Sequence, residues 1–530
     1  MSTVDADRAD PADPDRAVRT PLLVRLAVVG ALVAVVAVLS RDLWFFDDDW
    51  DYLTTRSIGD PDSWLEDHAG HWTMWTVPVF RVLYGLVGMD YFPWYHLPRL
   101  AALAGLALLI WRVLERRGAA PVVAGAATAV FCVLDTSAGH RAISIGNYLV
   151  MMCLILVGEQ LVDDRPVTTR RRLPVGALLV VAVTAFSTGP MLLVATGLTL
   201  LLFRRLREWW PSLVPAAVVY GAWYLAYRPE RNAELSPDPL GLPFDVLDVL
   251  GVCVGSLLGV SDTVGTVLGV GLIALLLWLA WKRSFDLFDV LALGTGAIFL
   301  VATAQLRGAS EFALEDRYAF VPIITVGLVL VPRIRVPASR MAAGVLALVA
   351  VALFAVNLQG TRERTRELAE FTGERRGRVE TAAALLADGQ PAVEDSWVSV
   401  PLTVGGLQRL VDDGWRPTGD PTRLNEARGF LAIGVGPSSD EDVPADLDDL
   451  LDVEEADCDT LREVGHESWF SGDEDFDLLV QATDGLRLHI VWHGYGSRSV
   501  TWNGGRGQIN SPVGRIHIAA EDREGHLNES

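Results

Sequence analysis

Four carboxylates fall in five positions at Asp47, Asp48, Asp49 and Asp51, inside the stretch FFDDDWDYL, with Trp44, Phe45, Phe46, Trp50 and Tyr52 around them. Carboxylates this close repel one another and rise in pKa unless a cation or a positively charged substrate group compensates. Two chemistries suit such a cluster. A carboxylate with a raised pKa can take the proton of an attacking hydroxyl, and hard oxygen ligands in a group can hold magnesium or manganese. An outer loop that merely avoids Arg and Lys would also be acidic, but the aromatic flank points to a bilayer interface rather than open solvent.

Downstream lie His68 and His71 in EDHAGHW, Arg81 in PVFRVLYGL and Arg99 in HLPRLAAL. Two histidines with no defined third ligand make a weak metal pattern, and an unliganded interfacial pair is the simpler reading. The arginines suit two roles, snorkelling to lipid headgroups or binding phosphate.

The elements that must position these residues are membrane spans. The chain has 530 residues, 51% of them hydrophobic, and a mean hydropathy of +0.31, with the apolar residues in blocks of bilayer length. The first block, 21–39, follows Arg16 and Arg19 and reads as an uncleaved signal anchor after a cytoplasmic tail, 1–20. Further blocks fall near 93–111, 119–134, 142–162, 174–187, 189–203, 211–227, 264–281, 286–306, 317–332 and 341–357, so that about 11 transmembrane helices are expected over 21–360. The run 174–203 is too long for one span and is split at Ser187-Thr188-Gly189-Pro190. Segment 244–260 reads either as a twelfth span or as an outer-surface helix, and Asp245 and Asp248 favour the surface.

Arginine placement orients the chain. With the N-terminus inside, Arg112, Arg116 and Arg117, Arg170 to Arg172, Arg204, Arg205 and Arg207, Lys282 and Arg283, and Arg333, Arg335 and Arg340 all fall in cytoplasmic turns. The acidic stretch then lies in a first outer loop, 41–92.

After residue 360 the composition changes. Residues 361–530 hold 16 Arg, no Lys and 34 Asp or Glu, most of the chain's formal charge of −22. This is an acidic soluble domain of α+β type. A helix is expected over 361–388, and the runs in LLVQATDGLRLHIVW, 478–492, predict a β-hairpin about Asp484-Gly485. The arginines of 362–378 favour the cytoplasm by the positive-inside bias. Cys132, Cys153 and Cys253 lie in apolar runs and Cys458 stands alone in the tail, so no disulfide framework is implied. No Walker loop, dinucleotide fingerprint or basic cluster interleaved with aromatics is present, which leaves nucleotide-driven pumping and nucleic-acid binding without support.

The order of these features resembles the polyprenyl-phosphate-dependent integral membrane glycosyltransferases of the GT-C fold. The resemblance rests on Asp48-Asp49-Trp50 directly after the first span, Gly70-His71-Trp72 some twenty residues on, and EDRYAFVP (Glu315 to Pro322), which carries Arg317-Tyr318 at the start of a late span. It implies an inverting transfer of a sugar from a polyprenyl-phosphate donor to a cell-envelope glycan, lipid or protein acceptor at the outer membrane face. Asp48 or Asp49 would be the general base, Arg99 or Arg317 would hold the lipid phosphate, Tyr318 would join Arg317 in binding substrate, and His71 would orient the leaving region or the acceptor. A divalent cation, magnesium or manganese, held by Asp48 and Asp49 is an option, since some relatives work without metal. The resemblance also implies a multi-pass protein of the cell membrane with its C-terminal domain, 361–530, outside the cell. Two other classes compete: a lipid-linked glycan transporter or flippase, for which Arg99 and Glu159 make a thin charged pathway, and a non-catalytic envelope scaffold.

Overall fold

The computed structural model describes residues 20–46, 48–57, 59–68, 71–89, 91–134, 144–163, 165–227, 241–307, 318–389, 397–399 and 402–420, and eight β-strands between 433 and 521. In chain order the helices are α1 (Leu22–Leu39), α2 (Asp48–Thr54), α3 (Asp62–Leu65), α4 (Thr76–Val87), α5 (Pro93–Arg116), α6 (Pro121–Cys132), α7 (Ser144–Val162), α8 (Thr169–Ala185), α9 (Thr188–Leu202), α10 (Leu206–Tyr227), α11 (Leu242–Leu258), α12 (Asp262–Trp281), α13 (Leu287–Arg307), α14 (Phe320–Leu330), α15 (Arg340–Ala387) and α16 (Val404–Asp412). The chain divides into two compact units. The first comprises Met1–Arg41, Trp64–Val79 and Tyr95–Arg366; the second comprises Asp42–Ser63, Phe80–Trp94 and Glu367–Ser530.

The first unit is a helical bundle. Among the described residues six helices are long and apolar enough to cross a membrane: Leu22–Leu39, Pro93–Arg116, Ile145–Val162, Asp262–Trp281, Leu287–Gln305 and Arg340–Ala387. The chain is a multi-pass membrane protein. The apolar runs at 119–134, 189–203 and 317–332 form shorter helices, α6, α9 and α14. Breaker residues shorten them. Pro121 opens α6, and Phe186 turns to an extended conformation (φ −171°, ψ 164°) between α8 and α9. Gly189 follows this break, where an added Cβ would sit 1.9 Å from the Ala182 carbonyl oxygen, so no side chain fits.

Segment 244–260, read as either a span or an outer-surface helix, forms α11, packed antiparallel along α12 with Val249, Leu250, Val252 and Cys253 buried. Gly251 and Gly255 face Gly265 and Gly269 across this pair, the small-residue spacing that lets helix backbones touch. The two aspartates sit in the first two turns of α11, so its apolar remainder can pack without burying them deep in the hairpin.

One end of the first unit collects the arginines. Arg25 pairs with Glu115, Arg112 and Arg116 with Glu159 (3.1 and 2.8 Å), and Arg117 with Asp286 and Asp289. Arg333 closes on Asp289 at 2.6 Å, and Arg205 donates to the Leu161 carbonyl. The turns that the positive-inside bias assigns to the cytoplasm therefore meet at one end of the bundle.

The second unit joins the acidic stretch to the tail. α15 runs through 387 without a break, merging the span at 341–357 with the helix expected over 361–388, and its last turns bury Val379, Ala382, Ala383 and Leu386. A short β1–β2 ladder (Trp397–Ser399, Leu402–Thr403) leads into α16, capped by the Thr403 hydroxyl accepting from the Gly406 N–H. Beyond it lie β3 (Ile433–Pro437), β4 (Val453–Glu454), β5 (Glu467–Gly472), β6 (Phe476–Ala482), β7 (Arg487–Trp492), β8 (Gly496–Thr501), β9 (Gly505–Ser511) and β10 (Gly514–Glu521). They form two antiparallel sheets, ordered β4-β8-β7-β10-β5 and β3-β6-β9.

The hairpin expected about Asp484-Gly485 does not form, because its two strands belong to different sheets: β6 pairs with β3 and β9, and β7 with β8 and β10. The register sets Leu478 and Val480 of β6 opposite Ile509 and Gly507, and Ile490 and Trp492 of β7 opposite Ile518 and Ile516.

Candidate active site

The acidic stretch is wound into α2 over an aromatic core. Trp44, Phe45, Trp50, Tyr52 and Leu53 are all buried. Trp44 meets Trp50 edge-on at 5.2 Å between ring centroids, Phe45 meets Phe92 at 4.5 Å, and Tyr52 lies 5.5 Å from Phe80. These aromatics, expected at a bilayer interface, pack on one another as buried residues around the short helical turn that carries the carboxylates.

Each described carboxylate then finds its own surroundings. Asp48 opens α2. Asp49 is 5% exposed, and its Oδ2 accepts the Phe46 N–H at 3.0 Å while its own N–H donates to the Phe46 carbonyl at 3.0 Å. Asp51 accepts from Arg56 Nε at 3.1 Å and from the Thr55 hydroxyl. A charged partner and a hydroxyl therefore occupy Asp51, and a backbone N–H occupies Asp49. Asp47 lies outside the described residues.

The remaining outer-loop residues separate by role. Arg81 donates to the Leu53 carbonyl and lies 5.1 Å from the Tyr84 ring, so it ties α4 to the end of α2 rather than waiting for phosphate. In the first unit His68 and His71 exchange backbone hydrogen bonds (2.8 and 2.9 Å), and the His71 ring stands 5.0 Å from Phe186 at the α8–α9 break. Trp72 fixes this turn: its Nε1 donates to the Trp64 carbonyl at 3.0 Å, and its ring stacks on Trp223 at 4.9 Å with 2° between planes. Trp75 donates to the Thr184 hydroxyl at 3.0 Å. Three tryptophans thus staple the loop 64–75 to α8 and α10.

Arg99 lies in the second turn of α5 and is only 2% exposed. Its Nη2 donates at 3.1 Å to the hydroxyl of Ser40, the C-cap of α1. Tyr318, half-buried, lies 6.3 Å from the Phe299 ring just before α14. Arg317 lies outside the described residues. Asp48 and Asp49 therefore belong to the second unit, and His71, Arg99 and Tyr318 to the first. Ser40, Phe186 and Trp223 were not singled out from sequence; the GHW motif marks the loop but not the helix surfaces that receive it.

Among the described residues no group of three or more His, Cys, Asp or Glu side chains is arranged to hold a metal ion. Of the carboxylates described, Asp49 receives a backbone N–H and Asp51 an arginine. Glu159, named for a transport pathway, is held by Arg112 and Arg116 at the arginine end.

No protein-family model matches the chain, and no curated protein matches it. Among solved structures, the crystal structure of ArnT from Cupriavidus metallidurans bound to undecaprenyl phosphate is similar to it, with 13% sequence identity, a TM-score of 0.46, and coverage of 77% of this chain and 92% of that one.

Proposed function

We propose that this chain is a GT-C-type membrane glycosyltransferase. It transfers a sugar from a polyprenyl-phosphate donor to a cell-envelope glycan, lipid or protein acceptor on the outer membrane face. The observation that supports this best is the acidic turn itself, where Asp48 and Asp49 open a short helix over a buried aromatic core while Asp51 is neutralised by Arg56. The paired aspartates supply the base. One of them takes the proton of the acceptor hydroxyl as its oxygen bonds to the anomeric carbon from the face opposite the phosphate, and the configuration inverts. The bond between that carbon and the phosphate oxygen breaks, its electron pair stays on the oxygen, and polyprenyl phosphate leaves. Positive charge must meet that oxygen. Arg99 is buried as a functional arginine in a membrane segment would be, and Arg317, Tyr318 and His71 take the binding roles named for them above.

The soluble domain, 361–530, lies outside the cell in this reading, with the first outer loop, 41–92, carrying the base. Purified chain reconstituted in vesicles with radiolabelled polyprenyl-phosphate sugars separates the three classes. Transfer of label to an acceptor supports the enzyme. Movement of the intact donor across the bilayer without transfer would make it a flippase, and binding with neither would make it a scaffold.

A further inference from the structure

The apolar part of α15 does not lie flush on the bundle: of its membrane-length stretch only 6% of the residues are buried. One end of that stretch is pinned. Asn357 Nδ2 donates to the Leu257 carbonyl at 2.8 Å, the Thr361 hydroxyl donates to the Val133 carbonyl at 3.0 Å, and Phe354 and Leu358 pack on the core of the first unit. Toward the arginine end the helix stands off, and a cavity of about 890 Å³ opens between it and α6, α11, α12, α13 and α14. The face of α15 that lines this wedge carries Ala343, Ala347 and Ala350, small side chains at helical spacing. Among the described residues no charged side chain lines it.

The mouth of the wedge is different. Val331, Ile334 and Val336 line it, and on the same turn between α14 and α15 the side chains of Arg335 and Arg340 are exposed. Among the described residues no carboxylate pairs with either. Arg333, two residues before Arg335, shows the ordinary alternative, since it closes on Asp289 at 2.6 Å. A cavity of this size lies within the roughly 300–1,000 Å³ of ligand-holding pockets. Snorkelling accounts for arginines at a headgroup level but not for an apolar slot behind them. A hydrocarbon chain ended by an anion matches both halves.

We propose that the wedge between α15 and the bundle holds an acyl chain of an anionic phospholipid, whose phosphate rests on Arg335 and Arg340. By the positive-inside bias that places this turn, the lipid belongs to the cytoplasmic leaflet. It holds the standing-off half of α15 against the bundle, and the inference does not depend on the transferase reading.

The test uses the full chain in detergent, titrated with dioleoyl phosphatidylglycerol or with dioleoyl phosphatidylcholine, the lipid retained per chain being counted by native mass spectrometry. Wild type is expected to retain the anionic lipid about fivefold or more better than the zwitterionic one, because a charged hydrogen bond to the phosphate has no opposing headgroup cation. R335Q/R340Q should reduce that preference to within about twofold. R204Q/R207Q makes the same change in net charge at exposed arginines of the α9–α10 turn and should behave as wild type. A347F/A350F, which fills the wedge and keeps both arginines, should lose retention of both lipids. Equal retention of the two lipids by wild type, or equal loss in the two arginine double variants, overturns the proposal. Polyprenyl monophosphate that displaces phosphatidylglycerol from wild type and is not retained by A347F/A350F would give the wedge to that lipid instead and also overturn it. Should A347F/A350F fail to fold, an unchanged preference in R335Q/R340Q still overturns it.

Discussion

Asp51 and Arg56 define what a structural carboxylate looks like in this turn. Both side chains are largely buried, and Arg56 Nε reaches Asp51 Oδ2 at 3.1 Å. Asp51→Asn keeps the shape but loses a charged hydrogen bond, which should lower stability by about 2 kcal/mol, read as a fall in unfolding temperature, while transfer per folded molecule is retained. Transfer abolished with the fold intact would move the base to Asp51. The acidic stretch was legible in sequence as an unusual cluster, but the division of labour within it was not, because Arg56 follows the last turn of α2 at no helical spacing. Arg81 was illegible for a different reason: its acceptor is the Leu53 carbonyl, and no sequence pattern marks a backbone oxygen. Arg99 read equally well as snorkelling or binding, and its burial against the Ser40 hydroxyl was not legible in the sequence.

At the scale of elements, the α11–α12 hairpin carries the sharpest expectation. A Cβ at Gly265 would lie 2.1 Å from the Gly251 carbonyl oxygen, whereas one at Gly271, on the same helix, meets nothing within 4 Å. Gly265→Val should therefore destabilise the protein by roughly 1–3 kcal/mol relative to Gly271→Val, as seen by thermal unfolding in detergent, and equal unfolding temperatures would deny the close contact. The glycine spacing that makes this hairpin was readable in the sequence but was outweighed by Asp245 and Asp248, which lie in the first two turns of α11. The split at Gly189-Pro190 was read correctly because Gly-Pro acts locally. The strand pairing of the tail was misread because Asp-Gly signals a turn without saying which sheet each strand joins.

The link between α4 and α16 adds a pH dependence. The Tyr84 hydroxyl donates to Asp413 at 3.4 Å, and burial, followed by the negative charge of Asp413, pushes the phenol up to about 12. A phenol raised in the folded state contributes stability that is fully present below its ordinary value of 10 and is lost as pH rises toward 12. Tyr84→Phe should flatten that alkaline loss, and equal slopes of unfolding temperature against pH in variant and wild type would show that the contact does not form.

For the whole molecule, sequence order carried most of what could be known. The arginine turns were assigned to one side by the positive-inside bias, and the ion pairs of Glu115, Glu159 and Asp289 bring them to one end of the bundle. The transferase reading also fixes the side of the tail. Cys458, the one cysteine outside the apolar runs, should react with a membrane-impermeant maleimide on intact cells and stop doing so as Cys458→Ser; labelling only after lysis would put the acidic domain in the cytoplasm. The most direct test of the central claim is the rate of labelled sugar transfer from polyprenyl phosphate by Asp48→Asn, Asp49→Asn and the double variant. The account predicts a loss on the order of 10²-fold or more in at least one single variant and in the double variant, with unfolding temperature little changed. Wild-type rates in all three would contradict it and leave the acidic turn a structural feature of the outer loop.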